Sequence, residues 1–425
     1  MCLSQFARTF ALHVFVFTIT LYLVILPMIL KDKPHSFYYG KLSNVGSLEE
    51  TMLHENDIRK YEASLAITRM NDTRFLHPNS TWIRNTQHKP IISIVVVTVS
   101  RDGVVKGDSY SPKYLTQVTA KFLTLIQELP EDYPLQVEYH LCVTNSSGYH
   151  PEADSLRKYV RVYTMPHSSQ ERSWAFKEKH KRGYVFCLNH TANPNAAYVM
   201  MVEDDSIPHD NLFDVLREIT QRYGTLRSTD NRQGLDVKGL SLEHVRFGTF
   251  QKKSTVFFKL YHPQRLLGFL ALDQERLPEL LASSSCTACL LLTVYYFVQV
   301  RHQKNILENI GKVYMTLFII CLIAYILVGR VHLIEFRRLL SPHLYYLTPS
   351  PSCCTPAIVY PRHSIAPIVQ YLDNITCSHL YMDHALDSYI SQPDKHAYLV
   401  QPNVFDHVGM YSAQKRRRIE SQLLV

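Results

Sequence analysis

Three stretches of the chain are apolar almost without interruption, and the polar blocks between them break into short runs with strand and helix periods. The first stretch, Phe10–Leu30, reads "FALHVFVFTITLYLVILPMIL", with His13 as its polar interruption. It is long enough to cross a hydrocarbon core. A cleaved signal peptide is the alternative, but the segment is long for one and no small-x-small cleavage site follows. An uncleaved anchor is therefore expected. Leu281–Val300 and Val313–Gly329 follow much later, separated by "RHQKNILENIGK". This pair predicts a membrane hairpin with a short basic turn, although both members are short enough to be buried core helices. Ser283, Ser284, Ser285, Thr287 and Ala288 are small residues that let two helices approach closely in lipid.

Between the first two apolar stretches the pattern is that of a folded domain. Residues 31–89 read as a stem, with helical spacing at Leu53, Ile58, Tyr61 and Leu65. From Pro90 the run "IISIVVVTVS" is nearly continuous and β-branched, as expected of a strand buried on both faces of a parallel sheet. A helical pattern around Tyr114–Leu129 comes next, then the strand "LQVEYHLCVT". The run "AAYVMMV" predicts another buried strand, followed by a helix with Leu212, Phe213, Leu216 and Ile219 on one face. Strands alternating with helices indicate an α/β domain. Ligands of open α/β sheets sit beyond the carboxyl ends of the strands. Thr98, Ser100 and Arg101 end the first strand there, and Glu203, Asp204 and Asp205 end the later one.

Composition narrows the function classes little. The 425 residues are 46% hydrophobic and 19% charged, with a net charge of +8. No basic block dominates, so nucleic acid is not an expected partner. "KRRR", Lys415–Arg418, is expected to be a solvated end. Of nine cysteines, Cys286 and Cys289 lie inside an apolar stretch, where packing is their expected role. Cys142, Cys187, Cys353, Cys354 and Cys377 lie outside such stretches and are candidates for disulfides in an oxidising compartment. The sequons at Asn71, Asn79, Asn145, Asn189 and Asn374 all fall in the two long polar blocks. With Arg301, Lys304 and Lys312 on the hairpin turn, they favour a cytosolic N-terminus and lumenal blocks. No P-loop, G-x-S-x-G elbow or G-x-G-x-x-G occurs, which disfavours P-loop NTPases, α/β-hydrolases and Rossmann dehydrogenases.

Three adjacent carboxylates at the end of a buried strand have two readings. They form a solvated turn that favours the N-terminus of the next helix, or they hold a hard divalent cation through oxygen ligands.

The second reading gains weight from a resemblance. An acidic triplet ending a strand resembles the D-x-D motif of GT-A nucleotide-sugar transferases, with "EDD" in its place. In order along the chain stand "YVFCLNHT", "YVMMVEDDSIP", "VFFKLYHPQRL" before the paired apolar stretches, "PSCCTP" after them and "YLVQPNVFDHVGMYS" near the end. Together they resemble the Golgi GPI-anchor N-acetylgalactosamine transferases of the post-GPI-attachment-to-proteins factor four family, from Pro90 to Ser412. That resemblance implies a GT-A-like domain split by a two-helix transmembrane hairpin, plus an N-terminal transmembrane anchor. The expected division is a cytosolic tail (1–9), anchor (10–30), lumenal stem (31–89), first catalytic half (90–280), hairpin (281–329) and second half with the basic tail (330–425). It also implies a multi-pass Golgi membrane protein that moves N-acetylgalactosamine from UDP-GalNAc to a mannose of the GPI glycan, with Mn²⁺ or Mg²⁺ and with inversion. The acceptor would be the GPI glycan or a GPI-anchored protein. Another UDP-sugar, an N-glycan acceptor or a non-catalytic membrane scaffold remain the alternatives.

Residue roles follow on that basis. Asp205 is expected as a direct metal ligand, Glu203 as a ligand or ribose contact, and His407 as the histidine directed at metal or diphosphate. Thr98, Ser100, Arg101 and Asp204 complete the donor-binding set. The acceptor side of a GT-A fold comes from its second half, where "LYMDHALDSYI" puts Asp383 and Asp387 four apart on one helical face. Asp383 is the expected base, with Asp387 and Glu243 behind it. Lys259, Tyr261 and His262 precede the hairpin and are expected to meet acceptor or lipid headgroups, or to anchor at the membrane interface.

Overall fold

A computed structural model describes residues 2–39, 45–72, 89–100, 111–144, 150–166, 174–191, 193–228, 254–271, 274–299, 303–340, 345–377, 381–412 and 417–419. Its helices are α1 (Cys2–Ile19), α2 (Leu26–Leu30), α3 (Val45–Asp72), α4 (Tyr114–Gln127), α5 (Pro151–Leu156), α6 (Phe176–His190) and α7 (Leu212–Ser228), then α8 (Leu277–Val298), α9 (Gln303–Glu308), α10 (Ile310–Val328), α11 (Arg330–Leu340), α12 (Arg362–Asn374) and α13 (Met382–Ile390). The strands are β1 (Ile91–Thr98), β2 (Gln136–Val143), β3 (Arg161–Thr164), β4 (Tyr198–Glu203), β5 (Ser206–Pro208) and β6 (Ser254–Lys259), the short pair β7 (Leu270–Ala271) and β8 (Gln274–Glu275), then β9 (Tyr346–Pro349), β10 (Ala357–Pro361), β11 (Lys395–Gln401), β12 (Phe405–His407), β13 (Tyr411–Ser412) and β14 (Arg417–Arg418).

Eight strands form one sheet in the order β3-β2-β1-β4-β10-β6-β11-β9. The β-branched run predicted as a doubly buried strand is β1, at the centre of the parallel set β3-β2-β1-β4. Because side chains alternate across a strand, Ile92, Ile94 and Val96 join one core and Val95 the other. The first core is covered by α4, α5 and α7, including Leu212, Phe213, Leu216 and Ile219; α6, α12 and α13 cover the second. The sheet is mixed rather than parallel throughout. β10 runs antiparallel to both β4 and β6, and β9 antiparallel to β11. A disulfide, Cys142–Cys187, ties β2 to α6, while Cys377 is buried and reduced.

The stem helix is present as α3, but its apolar spacing points to the wrong face. Ile58, Tyr61 and Leu65 are exposed, whereas Asn56, Ala63 and Met70 are buried. Polar pairing sets this orientation. Gln117 of α4 donates from Nε2 to Asn56 Oδ1 (2.9 Å) and accepts from Arg59 Nε (3.2 Å). Helix α3 therefore lies against the α/β unit.

Among the described residues, three helices are long and apolar enough to cross a membrane: Arg8–Leu30, Leu277–Val298 and Ile310–Val328. The last two fall between strands of the same sheet. Ser285 and Thr287 of α8 meet Tyr314 and Tyr325 of α10 at 2.9 and 2.7 Å, and the small Ser284 and Ala288 are fully buried. Phe10 lies edge-on to Tyr295 near the far end of α8, while Tyr22 donates to the Ile320 carbonyl (2.5 Å). At the opposite end, Phe37 N donates to the Leu327 carbonyl (2.8 Å). Gly329 makes the turn from α10 into α11 at φ 86°, where a Cβ would lie 2.7 Å from the His35 carbonyl, so glycine is needed there. Arg330, 2% exposed, anchors this junction to the sheet. It donates to Glu279 Oε2 (3.1 Å), the Leu267 carbonyl (2.8 Å), Tyr346 Oη (2.5 Å) and Gln401 Oε1 (2.9 Å).

Candidate metal centre

The strand order puts the chemistry at one place. From β1 the chain builds outward through β2 to β3, then returns to add β4 on the other side, so the direction of winding reverses between β1 and β4. Such a reversal opens a crevice beyond the carboxyl ends of the two strands. The parallel register sets Val97 across from Glu203, which brings the next residues, Thr98 and Asp204, side by side. Thr98 Oγ1 donates to Asp204 Oδ2 at 2.5 Å. Ser100 lies partly buried two residues beyond; Arg101 is outside the described residues.

His407 reaches the crevice on a second, two-stranded ladder. β12 pairs with β5 so that His407 faces Ser206, next to Asp205. Its Nε2 lies 3.4 Å from Asp205 Oδ1, and Val408 N donates to the Asp205 carbonyl at 2.9 Å. The backbone after His407 presses close. A Cβ on Gly409 would fall 2.8 Å from Asp205 Cγ and closer still to Oδ2. Met410 N donates to Tyr114 Oη (2.8 Å), which ties this loop to the start of α4. The Tyr261 ring lies 5.9 Å from that of His407.

Glu203, Asp205 and His407 offer ligand atoms that all lie within 4.8 Å of one another. Oxygen and nitrogen ligands about 2.1 Å from a small divalent cation are separated by at most about 4.2 Å, so a small contraction suffices to close this set. The electrostatics agree. Burial, then the charge of Asp205, pushes the Glu203 carboxyl up to about 7, against the opposing pull of His407 and of Thr355, whose Oγ1 donates to Glu203 Oε1 at 3.0 Å. Crowded carboxylates of this kind gain most from a cation. Two carboxylates and one imidazole make a ligand set for a divalent cation.

The two helix carboxylates lie one loop away. Asp387 Oδ2 accepts from Cys353 N (2.7 Å), and Asp383 Oδ2 from Cys354 N (3.3 Å). Cys353 and Cys354 are disulfide-linked neighbours, both at φ 68°, and the following Thr355 is the residue that reaches Glu203. Asp383 also accepts from His384 N (2.9 Å). Burial holds the Asp387 carboxyl above its usual range, partly countered by Lys259. Lys259, Tyr261 and His262 do not anchor at a surface; they are 1%, 6% and 0% exposed. Lys259 Nζ instead donates to the Pro351 and Cys353 carbonyls (2.8 and 2.7 Å), 3.6 Å from Asp387 Oδ1. The strand direction of β6 carries these residues inward. Glu243 lies outside the described residues.

Thr355, Gly409 and His150 were not singled out by sequence. Thr355 and Gly409 sit within the quoted "PSCCTP" and "FDHVG" segments but carry no chemistry of their own; His150 precedes Pro151, the pattern of a helix cap.

Two crystal structures of S. aureus TarS, one of residues 1–349, are similar to this chain at 13% and 14% identity, with TM-scores of 0.22 and 0.21. Each match covers 32% of this chain, and 20% and 33% of the TarS chains respectively, so the chain spans a third or less of these structures. Residues 92–406, from β1 through the first two residues of β12, match the family described as GPI-N-acetylgalactosamine transferase PGAP4, and the chain belongs to that family.

Proposed function

We propose that this protein transfers N-acetylgalactosamine from UDP-GalNAc to a mannose of the GPI-anchor glycan, with inversion at the anomeric carbon. The observation that carries the reading is the cluster of Glu203, Asp205 and His407 at the sheet's switch point, in a chain of this family. These three residues would hold Mn²⁺ or Mg²⁺. A cation bound there supplies charge to offset the diphosphate as it leaves.

The chain's own groups then divide the work. Thr98 and Ser100 at the end of β1 and Asp204 just after β4 hold the nucleotide sugar, with Arg101 as a further donor contact. Asp383 takes the proton of the attacking mannose hydroxyl as its oxygen bonds the anomeric carbon and UDP departs. Asp387 and Lys259 fix the Cys353–Cys354 loop that stands between this base and the metal ligands.

The membrane arrangement suits a lipid-linked acceptor. We assign Arg8–Leu30 as the anchor and α8–α10 as a hairpin inserted between the two halves of the catalytic unit. Phe10, at the start of the first apolar helix, lies against Tyr295 near the end of α8, which supports this arrangement. The exposed sequon residues Asn189 and Asn374 and the Cys142–Cys187 disulfide support a lumenal catalytic unit in the Golgi, with the N-terminus cytosolic.

The test uses the purified full chain in nanodiscs with Mn²⁺ and a panel of UDP-sugars, following UDP release with a mannose-terminated GPI glycan as acceptor. UDP-GalNAc should be consumed only when acceptor and metal are both present. Preference for another UDP-sugar would overturn the donor assignment.

A further inference from the structure

Asp204 is a carboxylate of the acidic triplet that lies outside the metal cluster, and the protein holds it through two successive hydrogen bonds. Thr98 Oγ1 donates to Asp204 Oδ2 (2.5 Å) and itself lies 2.8 Å from His150 Nε2. All three are buried, at 5%, 2% and 3% exposure for Asp204, Thr98 and His150. We propose that His150 is a positioning residue of the donor site, acting through Thr98 to fix Asp204 where it meets the nucleotide sugar; this rests on the donor site proposed above.

Proton accounting gives the relay its direction. An ionised carboxylate only accepts, and a hydroxyl has one proton to give. The Thr98 proton is spent on Asp204, so His150 must donate from Nε2. The other ring nitrogen agrees: His150 Nδ1 accepts from Ala153 N at 3.4 Å, where His150 caps α5. His150 is therefore the neutral Nε2–H tautomer, and both ring nitrogens are committed. A threonine hydroxyl left alone can rotate among partners. One receiving a bond from His150 is left with the proton directed at Asp204.

The ring is itself held in place. Glu152, two residues on, accepts from Thr116 N (3.0 Å) and Thr116 Oγ1 (2.9 Å), which ties α5 to the first turn of α4. That same turn carries Tyr114, the support for Met410 beyond His407. His150 is thus built into the scaffold that also steadies the metal ligands, and its bond to Thr98 leads on to Asp204.

The experiment measures UDP binding with saturating Mn²⁺, Mn²⁺ binding without nucleotide, and thermal melting, on the full chain in nanodiscs. The variants are His150→Ala, His150→Gln, Thr98→Val and Thr98→Ser. Loss of a partner that orients a metal ligand costs about 10–100-fold, and we expect His150→Ala and Thr98→Val to weaken UDP binding by the same order through the orientation of Asp204. Their Mn²⁺ affinity should stay at the wild-type value. His150→Gln retains an N–H donor and Thr98→Ser a hydroxyl, and each should recover most of the loss. Wild-type UDP affinity in His150→Ala would overturn the proposal, as would a glutamine variant no better than alanine at the same melting temperature. Should His150→Ala fail to fold, Thr98→Val against Thr98→Ser decides the relay alone. Absence of UDP binding in the wild type would sink the donor-site reading and this proposal together.

Discussion

Gly409→Ala adds one methyl group at the wall of the metal centre. The added carbon would stand 2.8 Å from Asp205 Cγ and 3.1 Å from its Cβ. Carbon atoms in contact settle at about 3.5–4.0 Å, and Oδ2 lies closer than either carbon, so the Asp205 carboxylate must withdraw by roughly 1 Å or more. Retreat by rotation takes its oxygen away from His407, because Val408 N holds the Asp205 carbonyl and keeps the backbone in place. Metal sites tolerate ligand displacements of only about 0.2 Å. A loss of about 10–100-fold in Mn²⁺ affinity follows, equal to about 1.4–2.8 kcal/mol. Folding should not suffer in step. Gly409 is not at positive φ, so the backbone accepts alanine and the clash falls on the end of the Asp205 side chain, offset by the lower entropy of the unfolded chain. Mn²⁺ titration by electron paramagnetic resonance, beside a metal-free melt, separates the two effects. Wild-type Mn²⁺ affinity in Gly409→Ala would refute the placement of Asp205 as a ligand.

Three further outcomes are expected. Arg330→Met leaves Glu279 without its buried partner and should cost about 3–5 kcal/mol, seen as a lowered melting temperature that Glu279→Leu partly restores; an unchanged melt would remove Arg330 as the link between the apolar helices and the sheet. Metal binding should weaken as pH falls below about 7, the point to which Glu203 is raised, and binding near pH 6 should release a proton measurable by calorimetry in buffers of different ionisation heat. The sign for folding is opposite: between the ordinary carboxylate range and about 7 the metal-free fold keeps a proton on Glu203 that the unfolded chain gives up, so this group's stabilising share fades as pH rises through that window. Lys259→Met strips two carbonyls and Asp387 of a buried cation and should cost about 3–5 kcal/mol, with a Met variant as stable as wild type counting against the loop's support.

The parts of this molecule that were legible in its sequence are those dictated by periodicity. The runs that became β1 and β4 are largely apolar on both faces because helices cover both, β2 is apolar on the face of the first core, and α7 carries Leu212, Phe213, Leu216 and Ile219 into that core at helical spacing. The three apolar helices stand out by length alone. What failed was orientation. Helix α3 turns Ile58, Tyr61 and Leu65 outward and docks through Ala63, Ile67 and Met70 together with the Asn56 and Arg59 bonds to Gln117, and side-chain amide pairing leaves no periodic trace. Lys259 looked like an interface residue beside an apolar segment, but β6 runs through the sheet and two loop carbonyls satisfy its charge. At the site, Glu203 and Asp205 were visible as an acidic strand end. The relation of His407 to them was visible only through resemblance, because about two hundred residues of chain separate them and a strand ladder joins them. Thr355 reaches Glu203 and His150 reaches Thr98 by hydrogen bonds across the fold, and residue type alone does not mark those partners.

The central claim is that the acidic cluster serves transfer of N-acetylgalactosamine to the GPI glycan, and mass spectrometry of a GPI-anchored reporter tests it most directly. The host cells lack their own GPI N-acetylgalactosamine transferase and receive either the wild type or Asp205→Ala, with Golgi arrival of both confirmed by microscopy. The wild type should add one N-acetylhexosamine to the GPI core, and Asp205→Ala should add none. An unchanged glycan with the wild type, or equal addition by both proteins, would contradict the claim.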